Sequence, residues 1–438
     1  MKRMLAAAVS LLLGAGAAAL PAEAAAKPWY GRVSLFGQAA SSTYDQGRST
    51  FFSDLVMTFT LRSTENAKDG LEYGIDVRGA AYPTVDERNA RLSVYDGFAG
   101  AVFGQGRFHV RVGQMWLTEL GSLGSLGGGL FEYRPAAVAR LGRFRFGAFG
   151  GYEPKILEAG YVRGVSKFGA YLALDGDSAR RHVLSLVVLR DSGLAERTVL
   201  LFNNYLPVGK SFFLYQAAEY DLLGPAGQGS GHLTYFFANA RYSPVSAVEL
   251  QATFHRGLSF DTRTLAADRL TGRPLDQRAL EGYLYESTGG RVTVTVAAGT
   301  RLFGGYSRDR NNLGDGSTNR YTFGLYASNL FRSGFELNVS DWRMMSESGS
   351  SYDSWYASLG RNFSRSFYVE GFYSSSVSVF RLTESGGYRI DSYPRTQRFG
   401  LSSVLNLFRT ATAQLTAERT IGNAFKEYRF LAGLSYRF

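Results

Sequence analysis

Arginines recur on one side of two alternating segments, with Arg107 and Arg111 in the first and Arg143 and Arg145 in the second. Alternate side chains of an extended strand point to the same face, so these arginines would form a basic strip. A basic strip that lines a passage concentrates anions. The alternative is structural, because carboxylates such as Glu72 could pair with the arginines and stiffen a wall. The residues alone leave both interpretations open.

Few other groups could do chemistry. The chain has no cysteine, which excludes disulfides, thiolate metal sites and covalently attached c-type haem. None of its four histidines lies in a motif typical of a hydrolase. The glycine run at 127–129 is not followed by Gly-Lys-Ser/Thr, so it does not predict a phosphate-binding loop. We therefore expect no enzyme activity, no catalytic residue, no metal site and no bound cofactor.

The first residues predict export. Lys2 and Arg3 precede an apolar run that ends at Leu20, and Ala22-Glu23-Ala24 offers a small-residue cleavage site. This order is typical of a signal peptide, here residues 1–24, which leaves a mature chain of residues 25–438. Removing two positive charges and one negative charge changes the formal net charge from +11 to +10. On an exported protein, such a charge favours contact with anionic lipid or lipopolysaccharide over nucleic acid.

The elements that must position the arginines are predicted to be β-strands, because apolar and polar residues alternate with a period of two residues. Val292, Val294 and Val296 alternate with Arg291, Thr293 and Thr295. Similar stretches of about 9–12 residues recur along the chain, the length that a tilted strand needs to cross a bilayer. Aromatic residues at stretch ends, such as Trp116, Tyr152, Trp355 and Tyr368, would form interfacial girdles. Because spanning backbone must satisfy all its hydrogen bonds internally, the sheet must close.

The last stretch carries an apolar face that ends at the final residue of the sequence. Its members are Tyr428, Phe430, Ala432, Leu434, Tyr436 and Phe438. This pattern resembles the C-terminal signal of Gram-negative outer-membrane β-barrels, which is recognised by the barrel assembly machinery. The resemblance implies an integral protein of the outer membrane.

The predicted fold is all-β, a single closed antiparallel transmembrane barrel with short periplasmic turns and longer outer loops. We count about 22 strands; uncertain segments such as 133–141 and 301–309 make 16–24 acceptable. Residues 118–132 and 259–287 are expected to be long outer loops. The small residues of 118–129 would let the first of these fold into the lumen, and the alternative is a solvent-exposed loop.

Two functions fit these expectations. The first is a porin-like channel for small polar or anionic solutes, with Arg107, Arg111, Arg143 and Arg145 lining the lumen. The second is a structural barrel that sheathes a periplasmic or lumenal multihaem cytochrome. The segments around Glu418-Arg419 and Glu427-Tyr428-Arg429 resemble barrels of porin–cytochrome electron conduits, and this resemblance implies the cytochrome partner.

Overall fold

The structure is a computed structural model. The structure describes residues 29–64, 69–82, 90–138, 141–155, 158–176, 180–223, 231–259, 282–312, 316–383 and 389–438. The strands are β1 (Trp29–Tyr44), β2 (Ser49–Ser63), β3 (Gly70–Ala81), β4 (Ala90–Phe103), β5 (Phe108–Trp116), β6 (Ser125–Tyr133), β7 (Arg143–Pro154), β8 (Tyr161–Asp175), β9 (Arg181–Asp191), β10 (Leu194–Val208), β11 (Phe212–Leu223), β12 (His232–Val245), β13 (Val248–Ser259), β14 (Tyr283–Ala297), β15 (Thr300–Asn311), β16 (Ser317–Leu330), β17 (Phe335–Ser346), β18 (Ser351–Ser364), β19 (Phe367–Thr383), β20 (Arg389–Ser392), β21 (Arg395–Asn406), β22 (Ala411–Gly422) and β23 (Phe425–Arg437). A 3-10 helix, Thr118–Leu123, follows β5. No helix in these ranges is long and apolar enough to cross a membrane.

Successive strands pair antiparallel, and the sheet closes on itself. β23 pairs with β1 over a register that runs from Arg32 opposite Arg437 to Tyr44 opposite Phe425. The short β20 pairs only with the end of β19, whose main partner is β21. Within the described ranges, 22 strands therefore form the barrel wall. Closure leaves no unpaired edge, and it confirms the predicted fold class.

The side-chain alternation assigns one face of each strand to the outside. Val292 and Phe430 are exposed on the apolar face by 46% and 61%, respectively. Arg291 and Arg429 occupy the opposite, polar face of their strands. Apolar side chains would gain nothing by facing a water-filled lumen, whereas lipid accommodates them. We therefore assign the apolar face to lipid and the polar face to the lumen.

The connections distinguish the two ends of the barrel. Two-residue turns at 246–247, 298–299 and 365–366 lie at one end, which we call the short-turn rim. β13 ends at Ser259 and β14 begins at Tyr283 at the other end, which we call the long-loop rim. Short turns face the periplasm in bacterial barrels, so the long-loop rim is the outer one.

Several boundaries differ from the sequence-based expectations. Segment 301–309 belongs to β15. In segment 133–141, the described residues 133–138 and 141 contain only the last residue of β6 and Val138, which forms an isolated bridge with Gly142. Pro135 lacks a backbone N–H and interrupts the ladder there. Residues 125–132, expected in a loop, belong to β6 (Ser125–Tyr133). The proposed signal peptide and most of the proposed loop 259–287 lie outside the described residues.

Candidate functional site

Residues 117–124, which connect β5 to β6, fold into the lumen. We call this segment the inward loop. Leu117 and Leu120 are 2% and 0% exposed, and the 3-10 helix packs against β9 and β10. Its apolar side chains meet lumen-facing residues of the wall that are themselves buried, including Val187, Val199 and Leu201. The lumen is therefore partly filled beside β5–β11.

A buried carboxylate ties the inward loop to two wall strands. Glu119 accepts a hydrogen bond from Arg145 Nη1 of β7 at 2.9 Å and pairs with Arg181 of β9. Ser185 Oγ donates to the backbone carbonyl of Glu119 at 2.9 Å. Three contacts on two strands hold one loop residue, so this turn of the loop cannot move without breaking ion pairs.

The end of the inward loop is held by a buried lysine. Lys167 is 1% exposed, and its Nζ donates to the carbonyls of Leu123 and Ser125, both at 2.8 Å. Glu153 of β7 supplies the opposite charge. A buried ammonium persists only when it is paired and hydrogen-bonded, and Lys167 meets both conditions.

Glycines make room for this arrangement. Gly113, Gly128 and Gly151 are register partners on β5, β6 and β7, and Gly151 pairs with Lys167 of β8. A Cβ on Gly128 would overlap the backbone of Gly150 and Gly151. These three glycines therefore leave the wall without side chains at the level where the end of the inward loop contacts Lys167.

A second network surrounds Arg145 in the wall. Its Nη1 donates to Glu132 Oε2 of β6 at 2.8 Å, and its guanidinium also pairs with Asp175 of β8. Tyr171 donates to the same Glu132 carboxylate. Glu132 is 2% exposed, and these donors compensate its buried charge.

Another part of the lumen wall has a different character. A hollow of about 390 Å³ lies against the lumen sides of β1–β3, β22 and β23. Its polar lining includes Gln38, Asp54, Arg78 and Thr416. Arg78 is exposed and makes no ion pair with a residue in the described ranges. Arg291, on β14 and outside this hollow, is also exposed and without an ion pair in those ranges, and its guanidinium lies 4.0 Å from the centroid of the Phe303 ring. Polar groups on this side thus remain accessible to a solute.

No family model matches the sequence, and a search of curated proteins finds no match. Solved structures with a similar fold include OccAB4 of Acinetobacter baumannii, with a TM-score of 0.44 and 10% sequence identity over 94% of this chain and 99% of that chain. OpdQ of Pseudomonas aeruginosa has a TM-score of 0.41 and 12% identity over 94% of this chain and 97% of that chain. OccAB2 of Acinetobacter baumannii has a TM-score of 0.43 and 10% identity over 93% and 98%.

The outer surface decides where this chain resides. Large apolar side chains such as Phe323, Leu401 and Leu415 are 56%, 58% and 60% exposed on one continuous closed sheet. Water would penalise that surface, whereas the hydrocarbon layer accepts it, and closure satisfies the backbone. The protein is an integral outer-membrane β-barrel.

The four arginines singled out in the sequence have different positions in the barrel. Arg111 faces the lumen and donates to Glu72 Oε2 at 2.8 Å. Arg145 also faces the lumen, within the network described above. Arg143 shares the parity of Arg145 but is exposed at the start of β7. Arg107 lies in the turn of residues 104–107 at the short-turn rim and is not part of the strand wall.

Other sequence-predicted residues are also located by the structure. Tyr428, Phe430, Leu434 and Tyr436 lie on the lipid-facing side of β23, and Phe438 contacts Trp29 with ring centroids 5.6 Å apart. Tyr368 is not a girdle residue, because it faces the lumen and its hydroxyl donates to Glu370 at 3.0 Å. The roles of Lys167 and Glu119 could not be predicted from the sequence, because their partners lie in distant segments of the chain.

Proposed function

We propose that the barrel is a diffusion channel for small polar solutes and that the inward loop narrows its passage. The observation that carries this proposal is the asymmetry of the lumen. One side is filled by the inward loop, held by Glu119 and Lys167. The other side presents polar groups such as Asp54 and Arg78 around a hollow. A wall of this kind offers solutes exchangeable hydrogen bonds without trapping them.

An anion preference, within this proposal, comes mainly from lumen arginines that no carboxylate of the described ranges neutralises. Arg111 and Arg145 are neutralised by Glu72, Glu119 and Glu132. Arg78 and Arg291 keep their charge toward the lumen. The proposed solutes are therefore polar molecules, with anions favoured where they pass these two side chains.

The sheath alternative is less well supported by the same geometry. A folded cytochrome would need a wide lumen, and the inward loop with its apolar cluster takes up part of that space. The lumen-facing His109 is 2% exposed beside Glu72, so it cannot reach a solute and we assign it no catalytic role.

The experiment that tests the channel is conductance in planar lipid bilayers with purified, detergent-extracted barrel. We expect discrete conductance steps in 1 M salt, and swelling of proteoliposomes in small polar solutes. A heat-denatured sample serves as the control. Complete absence of steps and swelling from folded protein would refute the proposal and favour a filled lumen.

A further inference from the structure

One patch of the lipid-facing surface changes character near the long-loop rim, across β13–β16. Strand pairing aligns its outward side chains in rows. One row is Ala252, Gly290, Tyr306 and Tyr321. The two tyrosine rings lie 5.3 Å apart, and Tyr306 donates its hydroxyl proton to Asn319 Oδ1 at 2.7 Å. Tyrosines with apolar rings toward the midplane and hydroxyls toward the rim mark the boundary between hydrocarbon and headgroups.

The next row toward the rim is Phe254, Thr288, Arg308 and Asn319. Arg308 donates to Ser317 Oγ and to Glu347 Oε1, both at 3.0 Å. A guanidinium has five N–H donors, so these two contacts orient Arg308 and leave others available. The row therefore presents a fixed cation one residue level above the tyrosines.

The uppermost row is Arg256, Glu286, Arg310 and Ser317. Arg256 Nη1 and Glu286 Oε1 lie 3.0 Å apart and neutralise each other. Arg310 is exposed and makes no ion pair or hydrogen bond with a residue that the structure describes. Since Glu347 balances Arg308, the charge of Arg310 is the uncompensated one in the patch.

A groove runs below these cations. Its volume is about 470 Å³, and it is lined by Phe254, Gly290 and Tyr306 on the apolar side and by Glu286, Arg308 and Arg310 toward the rim. Gly290 has no side chain, so the groove floor between Ala252 and Tyr306 stays open. The groove thus joins an apolar channel to a cationic end at headgroup level.

We propose that this groove binds an outer-leaflet glycolipid with a phosphorylated headgroup. The phosphate contacts Arg308 and Arg310, and one acyl chain lies along Phe254, Gly290 and Tyr306. Charge complementarity supports this occupant, because guanidinium groups bind phosphate through paired N–H donors. The site lies directly above the tyrosine row, at the level where the phosphates of a lipid are found. It is on the lipid-facing side of the wall, so an anion that passes through the lumen would not contact it. The site is on the outside of the wall and does not depend on the channel proposal.

Native mass spectrometry of the full barrel tests the site. The probes are lipid A with both phosphates and the same lipid after phosphate removal. We expect at least about tenfold stronger retention of the phosphorylated probe by the wild type, and about tenfold loss of that preference in Arg308→Gln/Arg310→Gln. Arg361→Gln is the matched control, because Arg361 also faces outward but lies at the short-turn rim, over the Phe335 and Phe363 rings. Its retention should equal that of the wild type.

A third variant separates a lipid site from a phosphate site. Gly290→Phe fills the groove floor without a forbidden contact, because a Cβ there would meet only the Gln251 carbonyl at 3.4 Å. We expect it to weaken lipid A retention several-fold while heat modifiability shows a folded barrel. Equal retention by Arg308→Gln/Arg310→Gln and the wild type overturns the proposal. Displacement of lipid A by excess inorganic phosphate, with no effect of Gly290→Phe, also overturns it and assigns the site to free phosphate.

Discussion

Glu119 of the inward loop and Arg145 of β7 form a hydrogen-bonded ion pair of 2.9 Å inside the barrel. The same arginine also contacts Glu132 of β6 and Asp175 of β8. One wall residue thus connects the loop to its neighbouring strands. The position of the loop, and with it the width of the passage, depends on this charge network.

Removing the loop carboxylate should widen the channel. Glu119→Gln keeps the size of the side chain but removes the charge that pairs with Arg145 and Arg181. We expect a larger and noisier single-channel conductance, because the 3-10 helix loses its ionic anchors while the barrel stays closed. Glu158→Gln is the control, since Glu158 pairs with Lys155 in an exposed connection. Identical conductance of Glu119→Gln and wild type would show that apolar packing and the Lys167 hydrogen bonds hold the loop without the Glu119 charge.

Pairs of arginine substitutions separate selectivity from stability. Arg111→Gln/Arg145→Gln leaves Glu72 and Glu132 less compensated, so the reversal potential should move toward cation selectivity. The barrel should also lose on the order of 3 kcal/mol, measured by urea unfolding in detergent, because buried carboxylates lose partners.

The matched pair is Arg107→Gln/Arg143→Gln, at exposed positions near the short-turn rim. It should shift the reversal potential less and leave the urea midpoint nearly unchanged. An unaltered reversal potential in both double variants would show that none of the four arginines sets the ion selectivity.

Deletion of Phe438 should reduce assembly. The Phe438 ring packs against Trp29, and its backbone N–H and carbonyl exchange 3.1 Å hydrogen bonds with Gly31 across the β1–β23 closure. We expect lower outer-membrane levels in heat-modifiability gels, with export intact. Phe331→Ala is the control, because Phe331 is 92% exposed in a turn. Wild-type levels of the truncated barrel would contradict the prediction.

Acid should release the contact between Glu347 and Ser317, the first residue of β16. Hydrogen bonds from the Ser317 hydroxyl and backbone N–H lower the pKa of Glu347, with a further contribution from Arg308. A lowered folded-state pKa means that the contact stabilises the fold above the ordinary value of 4.5 and is lost as the pH falls through the folded value.

The measurement is hydrogen exchange at the Ser317 amide, which donates to Glu347 Oε2 at 3.0 Å. Its protection factor should be high at pH 7 and fall in acid, and Glu347→Gln should show reduced protection already at pH 7. Protection that does not change with pH in the wild type would argue against titration of this carboxylate.

Much of the barrel could be predicted because its strand period is local. Val292 and Arg291 occupy opposite faces by virtue of adjacent positions, and no distant contact is needed to decide which faces lipid. The apolar face that ends at Phe438 is likewise visible in the sequence. The segment 118–129 was expected to be a loop, either folded into the lumen or exposed to solvent, because its small residues suit a loop. The structure places the 3-10 helix Thr118–Leu123 in the lumen and begins β6 at Ser125, a strand that the sequence did not predict.

The sequence by itself determined the strand alternation, the closed all-β fold and the side of the wall on which Arg111 and Arg145 lie. Only the tertiary structure decided their partners. Glu72 and Arg111 are 39 residues apart in the chain, and Glu119 and Arg145 are 26 apart. Pairing register and the path of the inward loop bring these charges together, and neither is set by local preference. An ion pair depends on a distance of a few ångströms between side chains, so whether a lumen arginine attracts solutes or is neutralised is a property of the closed barrel.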